Sequence, residues 1–402
     1  MQRSAALRNV VVPGAGNGDE SFFTRRLGGL EQPFPVVKNV EIAMQKVRFG
    51  RTGLMVSRTA FGCIPIQRVS MEESDALLRR AFEAGVNLFD TARGYTTSEE
   101  RLGRVFAPIR DQVFIATKSG AADPEGLRRD LETSLRNLRT DYVDLYQHHN
   151  PSTVAVPGDA VYDTLLDFRR QGRIRHIGVT SHDLGRAIQA AKSGHYDTVQ
   201  YPLSPLSADA ELALAEICRK ADVGLLAMKA LAGGLVADAG IAFAFLRRHE
   251  NVVPIWGIQR MEELEEFIGY ETRPPTEDEA WRTRLEYYRK ELSGSFCRGC
   301  GYCLPCPAGI PISMAARMSL LLKRSLSELY TTKEWRKKMA RIPNCTHCGQ
   351  CAKRCPYHLD TPTLLAGEWR KYEHMFDPAA AATTFPVEQL PLTRHSAPRV
   401  EA

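Results

Sequence analysis

Eight of the ten cysteines in this 402-residue chain stand in two short runs, Cys297, Cys300, Cys303, Cys306-Pro307 and Cys345, Cys348, Cys351, Cys355-Pro356. The second run has the spacing C-x2-C-x2-C-x3-C-P with which thiolates hold 4Fe-4S clusters, and the first is one residue shorter in its last gap. Two-residue gaps let three sulfurs converge on one cubane while the fourth reaches a second. The expected ligation is therefore crossed: Cys297, Cys300 and Cys303 with Cys355, and Cys345, Cys348 and Cys351 with Cys306. Paired zinc sites and disulfides are the competing readings. Structural zinc usually takes cysteine pairs set far apart and not two runs of four each closed by Cys-Pro, and disulfides belong to oxidising compartments. Two 4Fe-4S clusters are expected.

A second constellation lies far upstream. Asp90, Tyr95, Lys118 and the pair His148-His149 each fall at or just past the end of a short apolar run. A phenol is a weak acid, with an ordinary pKa of about 10, and must be made more acidic to exchange protons near neutrality. A Lys ammonium about 4 Å away contributes on the order of 4 kcal/mol at an effective dielectric of about 20, enough to bring the phenol close to neutrality. Lys118 is expected to do this for Tyr95, with Asp90 orienting Lys118 and His149 hydrogen-bonding the substrate oxygen. Singly, each residue has a structural reading: a packed Tyr, a solvated Lys, a capping Asp. Their placement at consecutive strand ends favours chemistry.

The elements that must position them follow from periodicity. Strands are expected at Thr59 to Cys63, Asn87 to Asp90, Val113 to Lys118, Tyr142 to Gln147, Arg175 to Thr180, Thr198 to Gln200, Gly224 to Met228 and Val253 to Trp256. Each is followed by helical spacing, as in Met71 to Ala84, which opens on a Ser70, Glu73 capping box. Eight strand-helix units in about 220 residues predict an α/β fold, a (β/α)8 TIM barrel, rather than an open sheet, which would need a Gly-rich fingerprint at its first turn. Barrel enzymes carry their chemistry at the C-terminal strand ends. Beyond the barrel, Glu277 to Leu292 and Ile312 to Met339 have helical spacing.

The stretch Gly85-Val86-Asn87-Leu88-Phe89-Asp90-Thr91-Ala92 with Tyr95, Ser98-Glu99 and Leu102-Gly103 resembles the aldo-keto reductase signature, as does Asp144-Leu145-Tyr146-Gln147-His148-His149. The resemblance covers about Val47 to Phe267. With Phe61-Gly62-Cys63, the following Ile64-Pro65-Ile66-Gln67-Arg68 and the cysteine runs, it is to the branch that carries a C-terminal ferredoxin-type domain, and the helical spacing over Ile312 to Met339 makes that an α-helical ferredoxin-like domain. It implies a catalytic tetrad of Asp90, Tyr95, Lys118 and His149, with His148 packing behind. It also implies NADP(H) or NAD(H) across the barrel mouth, against Gly62, Cys63, Thr180, Ser181, Gln200, Met228, Lys229, Gly257 and Arg260. Met228 stands where the family has an aromatic ring on the nicotinamide. The loop after strand eight lacks the familiar lysine and carries Glu263, leaving the choice between NADP and NAD to Arg260 or Lys229.

The implied organisation is a disordered extension over 1–46, a barrel over 47–275, a helical linker with the 4Fe-4S ferredoxin-type domain over 276–376, and a disordered tail over 377–402. Met44 stands where structured patterning begins. With 44% hydrophobic and 25% charged residues the chain has a globular composition, and its formal charge of +6 is modest. The basic residues around the cysteine runs, among them Lys337, Lys338, Arg341, Lys353 and Arg354, read as a solvated face or as a dock for an acidic electron-carrier protein. No nucleic-acid motif, bilayer-spanning run or secretion signal is present in the sequence, so a cytoplasmic protein is expected. The expected function is hydride transfer between a nicotinamide and a small carbonyl or alcohol substrate. Alternatives are a cluster-fed one-electron reductase working with an external carrier, and a non-catalytic redox-responsive binding subunit, against which the intact tetrad argues. Arg68 and Arg93 could receive an anionic substrate group or form salt bridges.

Overall fold

A computed structural model describes residues 44–292, 296–324 and 330–376, all within one compact unit, Glu41–Pro386. Most of the expected N-terminal extension and the whole of the expected tail lie outside the described residues. A hairpin of β1 (Lys46–Arg48) and β2 (Met55–Ser57) precedes a closed eight-stranded parallel barrel. Its strands are β3 (Ala60–Gly62), β4 (Leu88–Asp90), β5 (Phe114–Ser119), β6 (Val143–His149), β7 (Ile174–Thr180), β8 (Thr198–Pro202), β9 (Gly224–Met228) and β10 (Val252–Gly257), in that spatial order and with β10 closing on β3. The intervening helices are α1 (Met71–Glu83), α2 (Ser98–Phe106), α3 (Pro124–Leu138), α4 (Ala160–Arg170), α5 (Leu184–Lys192), α6 (Asp209–Lys220) and α7 (Ala239–Arg247), with α8 (Met261–Thr272) after β10.

All eight barrel strands expected from the sequence are present, with no end shifted by more than two residues. The hairpin was not expected, because two three-residue strands are too short for a period to register. It closes the N-terminal end of the barrel: Phe49 and Val56 join Ala60, Leu88, Ala116, Leu145, Leu226, Val253 and Ile255 in an interior apolar cluster. Residues of the opposite parity, such as Phe61, Phe89, Ile115 and Tyr146, face the helices in the main core. Strand alternation then dictates what points into the mouth. Two residues beyond Leu88 is Asp90, two beyond Ala116 is Lys118, and two and four beyond Leu145 are Gln147 and His149.

Several polar contacts fix this register. Asp144 accepts the Ile115 amide at 2.9 Å and pairs with Arg110 at 2.6 Å and Arg175 at 3.0 Å, tying β5 to β6. At α1 the Ser70 hydroxyl accepts the Glu73 amide and the Glu73 carboxylate accepts the Ser70 amide, the reciprocal cap expected from the sequence. Gly178 leaves the room that Gln147 uses, for a Cβ there would lie 2.8 Å from Gln147 Cγ and 2.3 Å from Thr198 Oγ1.

Past the barrel, α9 (Glu279–Glu291) buries Trp281 and Leu285 in the main core. The region beyond it is helical, with α10 (Ile312–Ala315), α11 (Met318–Arg324), α12 (Lys333–Met339), α13 (Gln350–Lys353) and α14 (Thr361–Phe376). Among the described residues, the helical stretch expected over Ile312 to Met339 contains α10, α11 and α12. A separate small core of Ile310, Ile312, Ala315, Met318, Met339, Leu365 and Tyr372 lies among them. No described helix is long and apolar enough to cross a membrane.

Candidate active site and four-thiol sites

The loop from β4 to α2 is stapled to the strand ends beside it. Thr91 and Arg93 amides donate to the Ala116 and Lys118 carbonyls, prolonging the β4 to β5 ladder. The Thr91 hydroxyl donates to Ser98 Oγ at 2.8 Å, and Ser98 Oγ donates to the Cys63 carbonyl at 2.9 Å. A tight turn from the Ala92 carbonyl to the Tyr95 amide then sets Tyr95 at the lip of the mouth. Buried Glu99 anchors the same corner, accepting from Thr117 at 2.7 Å and Arg93 at 2.5 Å. Arg93 is therefore a salt-bridge partner, and Arg68 is exposed.

Asp90, Tyr95, Lys118 and His149 come together from three adjacent strand ends. Lys118 Nζ lies 2.6 Å from Asp90 Oδ2 and 2.6 Å from the Thr91 carbonyl. It stands 5.2 Å from the centre of the Tyr95 ring, and the Tyr95 and His149 rings meet edge to face at 6.1 Å. Gln147 and Gln200 each donate Nε2 to Asp90 at 3.4 Å. His148, of opposite parity, turns away and engages the Ala121 carbonyl at 3.1 Å.

The expected acidification of Tyr95 by Lys118 is not what the electrostatics give. Burial, and next the Asp90 carboxylate, push the phenol above its ordinary value. The reason is local: the ammonium is held by Asp90 and the Thr91 carbonyl, so its field at the phenol is largely cancelled, while desolvation opposes the phenolate. Tyr95 is a protonated acid in the neutral range. Burial, then Lys118 and His148, push His149 down to about 3, leaving a neutral imidazole that can donate a hydrogen bond.

A pH profile tests this. The kcat/KM for carbonyl reduction is expected to stay flat from about pH 5 to about pH 9, with no limb near the ordinary imidazole value of about 6.5. A single-proton fall centred near pH 6.5 and abolished in His149→Gln would contradict the assignment. The linkage has a definite sign. With the folded pKa depressed, the unfolded chain takes up a proton that the fold does not, so stability contributed by neutral His149 is lost as pH falls below about 6.5.

The residues expected to meet a nicotinamide divide into two groups. Gln200, 2% exposed, keeps an unpartnered buried Oε1, a suitable acceptor for a carboxamide N–H, and Met228 is half-buried at the end of β9. Gly62 pairs in register with Gly257 and Asp90 at the rim. Thr180 Oγ1 accepts the Asn150 amide at 3.0 Å, and the Ser181 hydroxyl is engaged with the Asp183 backbone. Cys63 is fully buried, and burial pushes its thiol well up, so its side chain is inert toward a ligand. At the phosphate end, Lys229 Nζ donates to the Gly299 carbonyl at 3.1 Å, toward the cysteine runs, and Arg260 pairs with Glu263 at 2.8 Å. These residues fit the carboxamide end; both expected phosphate cations are engaged elsewhere.

The cysteines gather around two voids. One is bounded by Cys297, Cys300, Cys303 and Cys355. The other is bounded by Cys306, Cys345, Cys348 and Cys351, with Cys303 on the shared wall. These are the crossed sets that the spacing implies. Among the described residues no three His, Cys, Asp or Glu side chains converge tightly enough to hold a single ion. The donor sets fit cubane clusters. Cys297 Sγ accepts the Gly299 amide at 3.4 Å, and buried Arg317 spans from the first set to the Gly233 carbonyl at 2.8 Å.

Sequence reasoning passed over Tyr302, Tyr357 and Gln147 as parts of the site. Tyr302 and Tyr357 had a signal, being aromatic residues inside or beside the ligand runs, in Cys300-Gly301-Tyr302-Cys303 and Cys355-Pro356-Tyr357.

Comparison with known proteins agrees with this architecture. Residues 58–241 match the model of the aldo/keto reductase family, and residues 296–360 match the model of a 4Fe-4S dicluster domain. The chain is 31% identical to the uncharacterized oxidoreductase YrpG of Bacillus subtilis over 49% of this chain and 70% of that protein. It is 27% identical to "Probable aldo-keto reductase 1" of Glycine max over 49% of this chain and 62% of that protein, so it spans less than two thirds of the latter's length. The fold is shared with the holo form of an aldo-keto reductase from Bacillus halodurans, with a TM-score of 0.53 over 61% of this chain and 96% of that one, at 20% identity. The chain belongs to the aldo/keto reductase family. It is an oxidoreductase of that family with a 4Fe-4S dicluster domain on its C-terminal side.

Proposed function

We propose that this protein interconverts a small carbonyl compound and its alcohol, using NADP(H) or NAD(H) bound at the barrel mouth. The observation that carries the reading is the convergence of Asp90, Tyr95, Lys118 and His149, with a 2.6 Å ion pair at its base. When bound, the nicotinamide supplies or takes up the hydride. Tyr95 gives a proton to the carbonyl oxygen in reduction, a downhill transfer because an alkoxide is more basic than a phenolate even when burial has raised the phenol. Neutral His149 donates a hydrogen bond to the same oxygen and thereby orients the carbonyl carbon. Lys118, held by Asp90 and Thr91, keeps the strand ends in register and stands beside the phenol as charge develops there. Gln200 Oε1 accepts from the carboxamide, with Met228 against the ring. Gly62, Thr180, Ser181 and Gly257 form the rim, largely through backbone atoms.

Fluorescence titration of the cluster-loaded chain with NADPH and NADH tests the cofactor. Saturable quenching by at least one is expected, and binding of neither would sink the reading. Because Lys229 is engaged by Gly299 and Arg260 by Glu263, the two affinities should differ by less than about tenfold. Glu263→Gln releases Arg260 and should shift the preference toward NADPH by roughly two- to fivefold, the size of an exposed ion pair. No shift would remove Arg260 from the phosphate site.

A second reading has one observation in its favour: the first four-thiol void adjoins the barrel mouth through Lys229 and Gly299. In it, an acidic one-electron carrier docks on the basic face near exposed Cys348 and delivers two electrons singly, which with two protons reduce the carbonyl. Substrate reduction by a pre-reduced carrier protein with no nicotinamide present would favour it over hydride transfer. We also infer that the clusters reside in a ferredoxin-type domain within 276–376, beyond a barrel ending near residue 275.

A further inference from the structure

The cysteine runs carry two tyrosines that ligation does not require, and both close on the barrel. Tyr302 stands between Cys300 and Cys303, and Tyr357 two residues past Cys355. Their common target is His182, 4% exposed, which follows Ser181 at the mouth end of β7. His182 Nδ1 and the Tyr357 hydroxyl are 2.7 Å apart, and the Tyr302 ring meets the imidazole edge to face at 5.0 Å. The His182 amide donates to Asn150 Oδ1 at 3.1 Å, beside His149 at the end of β6. The junction is clamped on its far side by the Lys229 to Gly299 and Arg317 to Gly233 hydrogen bonds, and by Leu235 and Val236 against Leu292, Phe296 and Leu321. The segment bearing three thiols of the first site therefore cannot shift without disturbing the ends of β7 and β9.

We propose that Tyr302 is the wall of the substrate pocket on its β7 side, over His182, and that filling the first four-thiol site holds this wall in place. The proposal rests on the barrel-mouth reading above. Cys300 and Cys303 both line the first void, so a filled site pins both ends of the Gly301-Tyr302 span. Gly301 has a φ of +86°, a conformation that only glycine takes without strain, and it sets the direction in which the span turns. A ring fixed in this way costs little entropy when a ligand packs on it. A phenol presents a flat apolar face and one hydroxyl, so the pocket selects carbonyl compounds bearing an aromatic or broad apolar substituent over small aliphatic ones.

The test uses the full, cluster-loaded chain with NADPH, comparing 4-nitrobenzaldehyde with propanal in wild type, Tyr302→Ala, Tyr302→Phe and Tyr95→Phe. Tyr302→Ala should raise KM for 4-nitrobenzaldehyde by about tenfold or more while kcat stays within about threefold and propanal is little affected. Tyr302→Phe should keep most of the aromatic preference. In parallel, hydrogen exchange of residues 178–184 should rise in Tyr302→Ala and in chelator-stripped wild type, with the rest of the barrel unchanged. Unchanged KM values for both aldehydes beside a collapsed Tyr95→Phe would overturn the proposal and leave the barrel reading standing. Full turnover in Tyr95→Phe would instead sink the barrel reading. If neither aldehyde is reduced, the exchange measurement decides: no change in 178–184 on either treatment overturns the coupling of this wall to the four-thiol site.

Discussion

Replacing Tyr95 by Phe is expected to lower kcat for carbonyl reduction by about a hundred- to ten-thousand-fold while leaving nicotinamide affinity within about twofold of wild type. The magnitude is that of general acid catalysis by one positioned group. The change removes a hydroxyl that makes no hydrogen bond to any described residue, so the cost falls on the proton path and little on the fold. The loop that carries Tyr95 is held by the Thr91 to Ser98 and Ser98 to Cys63 hydrogen bonds, none of which involves the phenol. Lys118→Met should also be inactive but for a broader reason. It strands Asp90, 4% exposed, without its cation, and breaking a buried pair in this way costs about 3 to 5 kcal/mol of stability. Measuring kcat and thermal midpoint on both variants separates the roles: Tyr95→Phe should lose rate alone, Lys118→Met rate and stability together. Near wild-type turnover in Tyr95→Phe would require the proton donor to be sought elsewhere.

Pairs of cysteine variants should expose the crossed arrangement of the two thiol sites. Each single change, Cys297→Ser, Cys355→Ser or Cys348→Ser, is expected to lower anaerobically reconstituted iron from about eight to about four per chain. The Cys297→Ser, Cys355→Ser double variant should still hold about four, because both residues bound one void although they come from different runs. Cys355→Ser with Cys348→Ser, both from the second run, should hold almost none, since those residues bound different voids. The opposite pattern would show that each run closes its own cluster. Because the first site joins the 297–303 segment to Cys355, losing it should also loosen the helical region and the junction on His182, as metal removal does where ligands crosslink separate segments.

How far the sequence reached depends on the kind of signal. Eight barrel strands and most of their helices were legible, because alternating and helical periods are local and parallel strands buried on both faces leave continuous apolar runs. The β1–β2 hairpin was not, since its three-residue strands are shorter than any useful window. The thiol motifs were legible as a 4Fe-4S dicluster domain, and the cysteines of the two crossed sets line two neighbouring voids, with Cys303 on both. Asp90, Tyr95, Lys118 and His149 could be named through family resemblance and strand-end position, and alternation along β6 explains why His149 faces the mouth and His148 does not. What the sequence could not supply was where charges are spent. Lys118 is taken up by Asp90 and the Thr91 carbonyl, so it does not acidify Tyr95, and Lys229 faces Gly299 and not the phosphate end of a cofactor. Nor could spacing reveal that Tyr302 and Tyr357, more than a hundred residues from His182, close over it. Periodicity and ligand spacing are properties of neighbours along the chain; desolvation, ion-pair partners and the seat of one region on another depend on residues brought together only by folding, and those the tertiary structure alone decided.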